Sequence, residues 1–403
     1  MRLHRNLVLA SMQALDAIFN QGKQADKVLQ RTLKQDKRWG ARDRAFIAET
    51  TYDIVRWKRL YQEIAGLKEP FTERSLFKLF AVWATQKEII LPDWKEFEGI
   101  PIKPIKQGLK NPPSKRAIKA SIPDWLDQLG YEELGQQWPK ELEALNQPAP
   151  VILRINPEKI DRISLRAMLT KEGIETEPMD GLPLALRLVE RKNVFATAAF
   201  KSGLFEVQDG ASQMVAPFLA PQAGQCIIDA CAGAGGKALH LAALMENKGQ
   251  LIGLDIYPQK LQELKKRARR NGLHNIETRL IDSAKVIKKL KGRGDGVLID
   301  APCTGLGVLR RNPDAKWKLQ AEFVDRIKDT QQELLQSYSR MVKEGGKLVY
   351  ATCSILPSEN EQQVSAFLES EAGADFQLVQ QQSILPSETG LDGFYMALMQ
   401  RKA

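Results

Sequence analysis

The sequence predicts an α/β protein whose C-terminal half is a doubly wound, mostly parallel sheet, preceded by a small α+β module and a helical N-terminal region. Two observations favour this fold class. Apolar residues recur every three or four positions near the N-terminus, without the alternation of strands. Later in the chain, short runs rich in isoleucine, leucine and valine alternate with helix-length amphipathic segments, which is typical of βαβ units.

Changes in composition divide the chain into four regions. Residues 1–95 are predicted to be helical. Residues 96–119 are basic and rich in proline, so we expect an extended linker, because prolines interrupt helices and lysines cannot form a core. Residues 120–208 fit a small α+β module. Residues 209–403 contain the alternating strands and helices of the doubly wound domain.

Charge and cysteine content narrow the functional class. The 59 Lys and Arg residues against 49 Asp and Glu give a formal charge of +10, which favours a polyanion such as nucleic acid, although a merely basic soluble protein stays open. No segment approaches the roughly 20 apolar residues of a membrane span, and the N-terminus lacks a signal-peptide pattern. The four scattered cysteines and three histidines have no metal-ligand spacing. We expect a monomeric cytoplasmic protein with reduced thiols, no metal and no membrane contact.

A glycine-rich loop follows the first strand of the C-terminal domain. Its glycines would let the backbone approach a ligand closely before turning into a helix. The spacing does not match the phosphate loop of nucleotide hydrolases, whereas a nicotinamide dinucleotide site remains possible on the glycines alone. The loop residues are Cys231, Ala232, Gly233, Ala234, Gly235, Gly236 and Lys237.

Four aspartates follow successive predicted strands: Asp229, Asp255, Asp282 and Asp300. Asp255 could accept hydrogen bonds from ribose hydroxyls, and Asp282 could reach an adenine amino group. Any one of them could instead be a helix cap or a turn residue. If the four carboxylates lie together at one sheet edge, they favour a ligand that carries hydroxyls and positive charge. S-Adenosylmethionine, with its ribose hydroxyls and its positively charged sulfonium group, is such a ligand.

Two cysteines follow adjacent predicted strands. Cys303 lies in DAPCTG and Cys353 in YATCS, so both should face one cleft. A free cysteine is often only a small buried apolar residue, which is the better interpretation for Cys226. A thiolate, however, can add to carbon 6 of cytosine and make carbon 5 nucleophilic enough to accept a methyl group. At a pKa of about 8.5 an ordinary thiol is only slightly ionised, so such a site must lower that pKa or supply a base.

The motifs resemble those of a known family. DACAGAGGKA, DAPCTGLG and YATCS resemble the signature loops of the RNA (cytosine-5)-methyltransferases of the Sun/RsmB type. The resemblance covers about residues 120–403 and extends to PDWL (123–126), LRIN (153–156), FEVQDGASQ (205–213) and DGFYMALMQRK (392–402). The paired PC and TC motifs are more specific than the glycine loop. They therefore favour the methyltransferase interpretation over a nicotinamide dinucleotide site.

The resemblance implies a Rossmann-like S-adenosylmethionine-dependent methyltransferase domain and a role for each motif. Cys353 would be the nucleophile that forms a covalent adduct with carbon 6, Cys303 would assist product release, and Asp300 would contact the base. The residues implied for the cofactor are the loop from Cys231 to Lys237, Asp255, Lys260, Asp282 and Asp300. Lys260 stands where arginine is usual, and Ala234 and Ala238 stand where the family has proline and serine or threonine.

The remaining regions also suggest RNA contact. The N-terminal helices resemble the NusB-like RNA-binding region that precedes some members, and 120–208 would be an RNA-binding module. Arg310 and Arg311, just after the PC motif, are candidates for phosphate contacts. We therefore expect cytosine-5 methylation of RNA, foremost ribosomal RNA. The alternatives are the same chemistry on transfer RNA and a catalytically weak RNA-binding ribosome assembly factor.

Overall fold

The structure is a computed structural model that describes residues 2–403 in two compact units. One unit comprises the chain up to Gln147 together with Leu309–Ala321, and the other comprises Pro148–Val308 and Glu322–Ala403. Among the described residues, no helix has the length and apolar character needed to cross a membrane.

The first unit is helical. Aromatic and aliphatic side chains such as Leu15, Tyr61 and Phe80 form its fully buried core, in keeping with the apolar spacing of the N-terminal region. Its α-helices are Arg5–Phe19, Ala25–Thr32, Ala41–Arg56, Lys58–Ile64, Glu73–Gln86, Ile102–Lys110, Arg116–Lys119, Asp124–Leu134, Trp138–Leu145 and Ala315–Lys318.

The segment 309–321 is an integral part of this helical unit. The Trp317 indole donates a hydrogen bond to the Val55 carbonyl at 2.7 Å. Asp314 accepts one from the Ala25 amide at 3.0 Å. The fully desolvated position of Lys316 lowers the pKa of its ammonium well below the usual range. These contacts fix the segment within the unit's interior.

The structure corrects the expectation of an extended linker at 96–119. Ile102–Lys110 form an α-helix, and Ile105 on its inner face is only 2% exposed. Pro104 does not interrupt this helix, because it lies in the first turn, where a backbone N–H would have no intrahelical partner. The lysines lie on the exposed face. The linker prediction was wrong because it treated every proline as a breaker.

The boundary predicted at residue 120 also differs from the structure. Asp124–Leu134 and Trp138–Leu145 are helices of the first unit, whereas the first strand of the α+β module begins at Ile152. Trp138 is fully buried and donates to the Asp127 carboxylate at 2.9 Å. Its indole packs directly on the backbone at Gly130, where an added Cβ would lie 2.3 Å from the ring.

The α+β module is a four-stranded antiparallel sheet with one face covered by helices. Its strands are β1 (Ile152–Ile155), β2 (Thr176–Met179), β3 (Leu182–Leu188) and β4 (Phe205–Val207), in the order β2-β3-β1-β4. The accompanying helices are Arg162–Lys171 and Ala198–Lys201. The module and the larger sheet belong to the same compact unit.

The larger sheet has seven strands and confirms the predicted Rossmann-like fold. The strands are β5 (Cys226–Asp229), β6 (Gln250–Asp255), β7 (Ile276–Leu280), β8 (Gly294–Asp300), β9 (Val342–Thr352), β10 (Phe376–Ile384) and β11 (Phe394–Arg401). Their order is β10-β11-β9-β8-β5-β6-β7, parallel except that β11 is antiparallel to both neighbours. The helices are Gly210–Leu219, Gly236–Leu244, Pro258–Asn271, Ala284–Lys289, Ala321–Tyr338, Glu361–Glu369 and Pro386–Thr389.

Both faces of this sheet are buried, as expected for parallel strands. Ile227 packs on one apolar cluster, and its neighbour Ile228 packs on another. From β5 the strands β6 and β7 follow toward one edge of the sheet, whereas β8 lies on the other side of β5. Ligands of such sheets bind beyond the carboxyl ends of the strands at this switch point.

We expect Gly130→Ala to lower the free energy of unfolding by about 1–3 kcal/mol, because the new methyl group would overlap the buried Trp138 ring. Urea denaturation followed by tryptophan fluorescence measures the change. Gln128→Ala, at an exposed position of the same helix, is the matched control and should stay within about 0.5 kcal/mol of wild type. Equal stability of the two variants would contradict this packing.

Candidate active site

The carboxyl ends of β8 and β9 bring two cysteines together. Asp300 pairs with Ala351 in the parallel register of these strands, so the chains after them leave the sheet at the same level. The sulfur atoms of Cys303 and Cys353 lie 3.3 Å apart. The structure therefore brings the two cysteines into direct contact.

The loop after β8 is packed tightly against Cys353. The Gly307 amide donates to the Cys353 carbonyl at 3.0 Å, and the Gly393 amide donates to the Gly307 carbonyl at 2.8 Å. A Cβ at position 307 would lie 2.2 Å from the Gly393 oxygen and 2.8 Å from the Cys353 oxygen. Only glycine fits here, and the backbone of Cys353 is therefore held in place.

The surroundings of Cys303 keep its thiol protonated. The pKa of Cys303 is raised well above its usual range, first by the hydrogen bond with Cys353, then by burial and by the nearby charges of Cys353 and Glu359. Cys303 is therefore a neutral thiol near pH 7. That protonation state suits a proton donor better than a nucleophile.

Asp300 stands between the cysteines and the glycine loop. Its carboxylate accepts a hydrogen bond from the Lys237 ammonium at 2.7 Å. Lys237 is largely buried and also lies over the Phe394 ring, 4.8 Å from its centroid. Below them, burial and the charge of Asp300 raise the pKa of Asp229 to about 7.

A cavity of about 470 Å³ opens beside these residues at the switch point of the sheet. Of the residues predicted from the sequence, it is lined by Cys231, Ala232, Gly233, Ala234, Gly236, Lys237, Asp255, Lys260 and Asp300. Gly235 has a φ of +92°, and an added Cβ would lie 2.2 Å from Leu264, so it shapes the loop from behind the lining. The structure does not place Asp282 in the cavity: its side chain is exposed, and its neighbour Ile281 lines the wall instead.

The cavity suits S-adenosylmethionine. The Asp255 carboxylate accepts from the amides of Gly233 and Tyr257 at 2.9 and 2.8 Å, which fixes its orientation and leaves lone pairs for ribose hydroxyls. Ile256 and Ile281 supply the apolar wall that an adenine ring requires. Within residues 2–403, no cluster of three or more His, Cys, Asp or Glu side chains could hold a metal ion.

Two arginines that sequence reasoning missed hold the glycine loop. Arg267 donates to the Ala234 carbonyl at 2.8 Å, and Arg154 donates to the Gly236 carbonyl. Glu206 of β4 accepts hydrogen bonds from Arg267 at 3.0 Å and from Asn271 at 2.6 Å. The α+β module thus supplies part of the support of the cavity. The hydrogen bond from Arg267 fixes the Ala234 carbonyl.

Other residues also differ from the sequence-based expectation. Tyr257 and Tyr338 line the cavity, although neither stood out in the sequence. Arg310, a candidate for phosphate contact, is only 7% exposed, and its carbonyl accepts a hydrogen bond from Arg56 within the helical unit. A buried arginine in that position is unsuited to a surface phosphate contact.

Comparison with known families agrees with this geometry. Residues 216–400 match the family described as 16S rRNA methyltransferase RsmB/F. Residues 122–195 match the ferredoxin-like domain of RsmF/B-like methyltransferases. The ferredoxin-like match corresponds to the α+β module and the helices that precede it.

Individual relatives extend the similarity along the chain. Ribosomal RNA small subunit methyltransferase B of Vibrio cholerae is 36% identical over 287 residues, 70% of this chain and 65% of that protein. The probable ribosomal RNA small subunit methyltransferase B of Bacillus subtilis is 31% identical over 322 residues, 76% of this chain and 71% of that protein. The chain thus spans about two thirds of the curated relatives' length. The crystal structure of PH0851 has the same fold, with a TM-score of 0.86 and 24% identity over all of both chains.

We expect Arg267→Gln to raise the Kd for S-adenosylhomocysteine by about five- to tenfold, because one hydrogen bond to the glycine loop is lost. Isothermal calorimetry measures the affinity. Arg269→Gln removes the same charge from an exposed position of the same helix and should leave Kd within about twofold of wild type. Equal weakening in both variants would indicate a general charge effect and not support of the loop.

Proposed function

The chain belongs to the RsmB/F family of 16S rRNA methyltransferases, and on that basis we propose that it methylates carbon 5 of a cytosine in ribosomal RNA. The observation that carries the cytosine-5 chemistry is the pair of thiols 3.3 Å apart beside the cavity. Simple transfer to an already nucleophilic atom requires no thiol, whereas carbon 5 of cytosine must first be activated.

In this proposal, Cys353 adds to carbon 6 of the cytosine. A sulfur–carbon bond forms, and the electrons of the C5–C6 double bond move to make carbon 5 nucleophilic. S-Adenosylmethionine supplies an electrophilic methyl group when bound. Once carbon 5 has taken the methyl group, a water molecule accepts the carbon-5 proton, which restores the double bond, breaks the sulfur–carbon bond and returns the Cys353 thiolate. Cys303, as a neutral thiol in contact with Cys353, assists this last step by donating a hydrogen bond to the departing sulfur.

In this proposal, Asp300 and Lys237 orient the base. Their ion pair lies in the wall shared by the cavity and the cysteine loops. A carboxylate can accept a hydrogen bond from the exocyclic amino group of cytosine, and an ammonium can donate to its carbonyl oxygen. The target base must leave any stack to reach them, at a cost of a few kcal/mol that is smallest in unpaired RNA.

The first test is transfer of tritium from methyl-labelled S-adenosylmethionine to total RNA of cells lacking this gene. Label should be recovered as 5-methylcytidine in the ribosomal RNA fraction. Cys353→Ala should reduce it by about 10³-fold or more, since the nucleophile is lost. Cys226→Ala, at the start of β5, is the matched control and should keep activity. Label recovered in transfer RNA would identify transfer RNA as the substrate. If the cofactor binds and no RNA is labelled, the result would favour an assembly factor.

The second test assigns the two thiols. Cys303→Ala should accumulate a covalent protein–RNA adduct that survives a denaturing gel, because attack by Cys353 continues while release slows. Cys353→Ala and the double variant should form no adduct. An adduct in Cys353→Ala that is missing in Cys303→Ala would mean that the roles are reversed.

A further inference from the structure

We propose that Glu359 is a positioning residue that sets the placement of the two thiols relative to each other, and through it the release of the methylated RNA. This inference rests on the proposed function and extends it to a residue outside the cysteine motifs and the cofactor cavity. Glu359 lies in the short 3₁₀ turn Pro357–Glu359 that follows the Cys353 loop, and its side chain is fully buried.

The Glu359 carboxylate joins the two cysteine loops directly. One oxygen, Oε2, accepts from the Thr304 amide at 2.8 Å and from the Gln331 side chain at 3.1 Å. The other, Oε1, accepts from the hydroxyls of both Thr304 and Ser354. Thr304 directly follows Cys303, and Ser354 directly follows Cys353. One buried side chain therefore holds the residue after each thiol.

The residues before the cysteines are held by the neighbours of Glu359. Gln331, which binds Glu359, also donates to the Pro302 carbonyl at 3.0 Å. Asn360 accepts from the Thr352 hydroxyl at 2.6 Å and donates to the Ser354 carbonyl at 3.1 Å. Both thiols are thus bracketed on either side by a hydrogen-bond network centred on one carboxylate.

A buried carboxylate needs such donors to offset the cost of its desolvation. Four donors converge on Glu359. An uncharged amide would remove the charge from these bonds, and its NH₂ group would force the hydroxyls of Thr304 and Ser354 to accept where they now donate. The charge also contributes to the raised pKa of Cys303, although it is a smaller cause than the Cys353 hydrogen bond and burial. Glu359 thereby holds the helper thiol in place and adds to the factors that favour its protonated form.

The loss of Glu359 should affect the two loops unequally. The Cys353 loop retains the bonds from Asn360 and from the Gly307 amide. The residue after Cys303 would lose both its backbone and its hydroxyl bond to the carboxylate. The release step, which depends on Cys303, should therefore suffer more than attack by Cys353.

The experiment compares Glu359→Gln with wild type in single-turnover reactions on the RNA fraction that wild type labels. The ratio of covalent adduct to released 5-methylcytidine RNA should rise by about tenfold or more, because small displacements of a catalytic group are costly. The Kd for S-adenosylhomocysteine should be unchanged, since Glu359 does not line the cofactor cavity. Glu361→Gln, two residues along and bonded to the Ser383 hydroxyl, is the matched control and should behave as wild type.

The outcomes separate this inference from the proposed function. If wild type labels no RNA and forms no adduct, the proposed function fails. If wild type is active and Glu359→Gln shows the wild-type ratio of adduct to product, the positioning role is wrong. An equal fall of adduct and product would also overturn it, because that result indicates a general loss of the site.

A second variant covers the case in which Glu359→Gln fails to fold. Thr304→Val keeps the side-chain shape and the backbone bond, and removes only the hydroxyl that binds Glu359. It should raise the same ratio in the same direction by a smaller factor. A wild-type ratio in a folded Thr304→Val protein, together with an unfolded Glu359→Gln, would assign Glu359 to stability alone.

Discussion

The parallel pairing of β8 with β9 is the constraint on which the rest of the site depends. Because Asp300 lies opposite Ala351, the two chains leave the sheet side by side, and their first turns bring the sulfurs of Cys303 and Cys353 to 3.3 Å. The reversal of strand order next to β8 opens the cofactor cavity at the same edge. A shift of register between these strands would move Cys353 away from both Cys303 and Asp300.

Buried charge holds the parts of this edge to one another. Glu206, in the antiparallel module, binds two arginines of the helix Pro258–Asn271, and one of them reaches the glycine loop. Glu359 plays the corresponding part beneath the cysteine loops. Each carboxylate is fully surrounded by donors, so its removal would leave several buried groups without partners. Such networks fix geometry more strictly than apolar packing, which tolerates substitutions of similar volume.

The parallel strands and the motifs at their ends could be predicted from the sequence, because strands buried on both faces form continuous apolar runs. β10 could not, since its inner residues are exposed and glutamine-rich and form an edge strand with no apolar pattern. The helix Ile102–Lys110 was missed because the sequence alone does not show whether a proline lies in the first turn of a helix, where it is tolerated, or in its interior, where it interrupts the helix. Glu206 and Glu359 resemble surface glutamates in the sequence; only the folded chain brings their donors, far apart in number, to one place.

The discontinuous helical unit has a consequence for the order in which the protein matures. While the ribosome is still adding the strands β1 to β8, the N-terminal helices lack Asp314 at the Ala25 amide and Trp317 at the Val55 carbonyl. Those groups arrive only when Leu309–Ala321 has been synthesised, after the PC motif and before the TC motif. The core of the helical unit therefore stays incomplete until strands β5 to β8 of the larger sheet have been synthesised. The first unit can therefore complete its packing only after the loop that contains Cys303 has been synthesised.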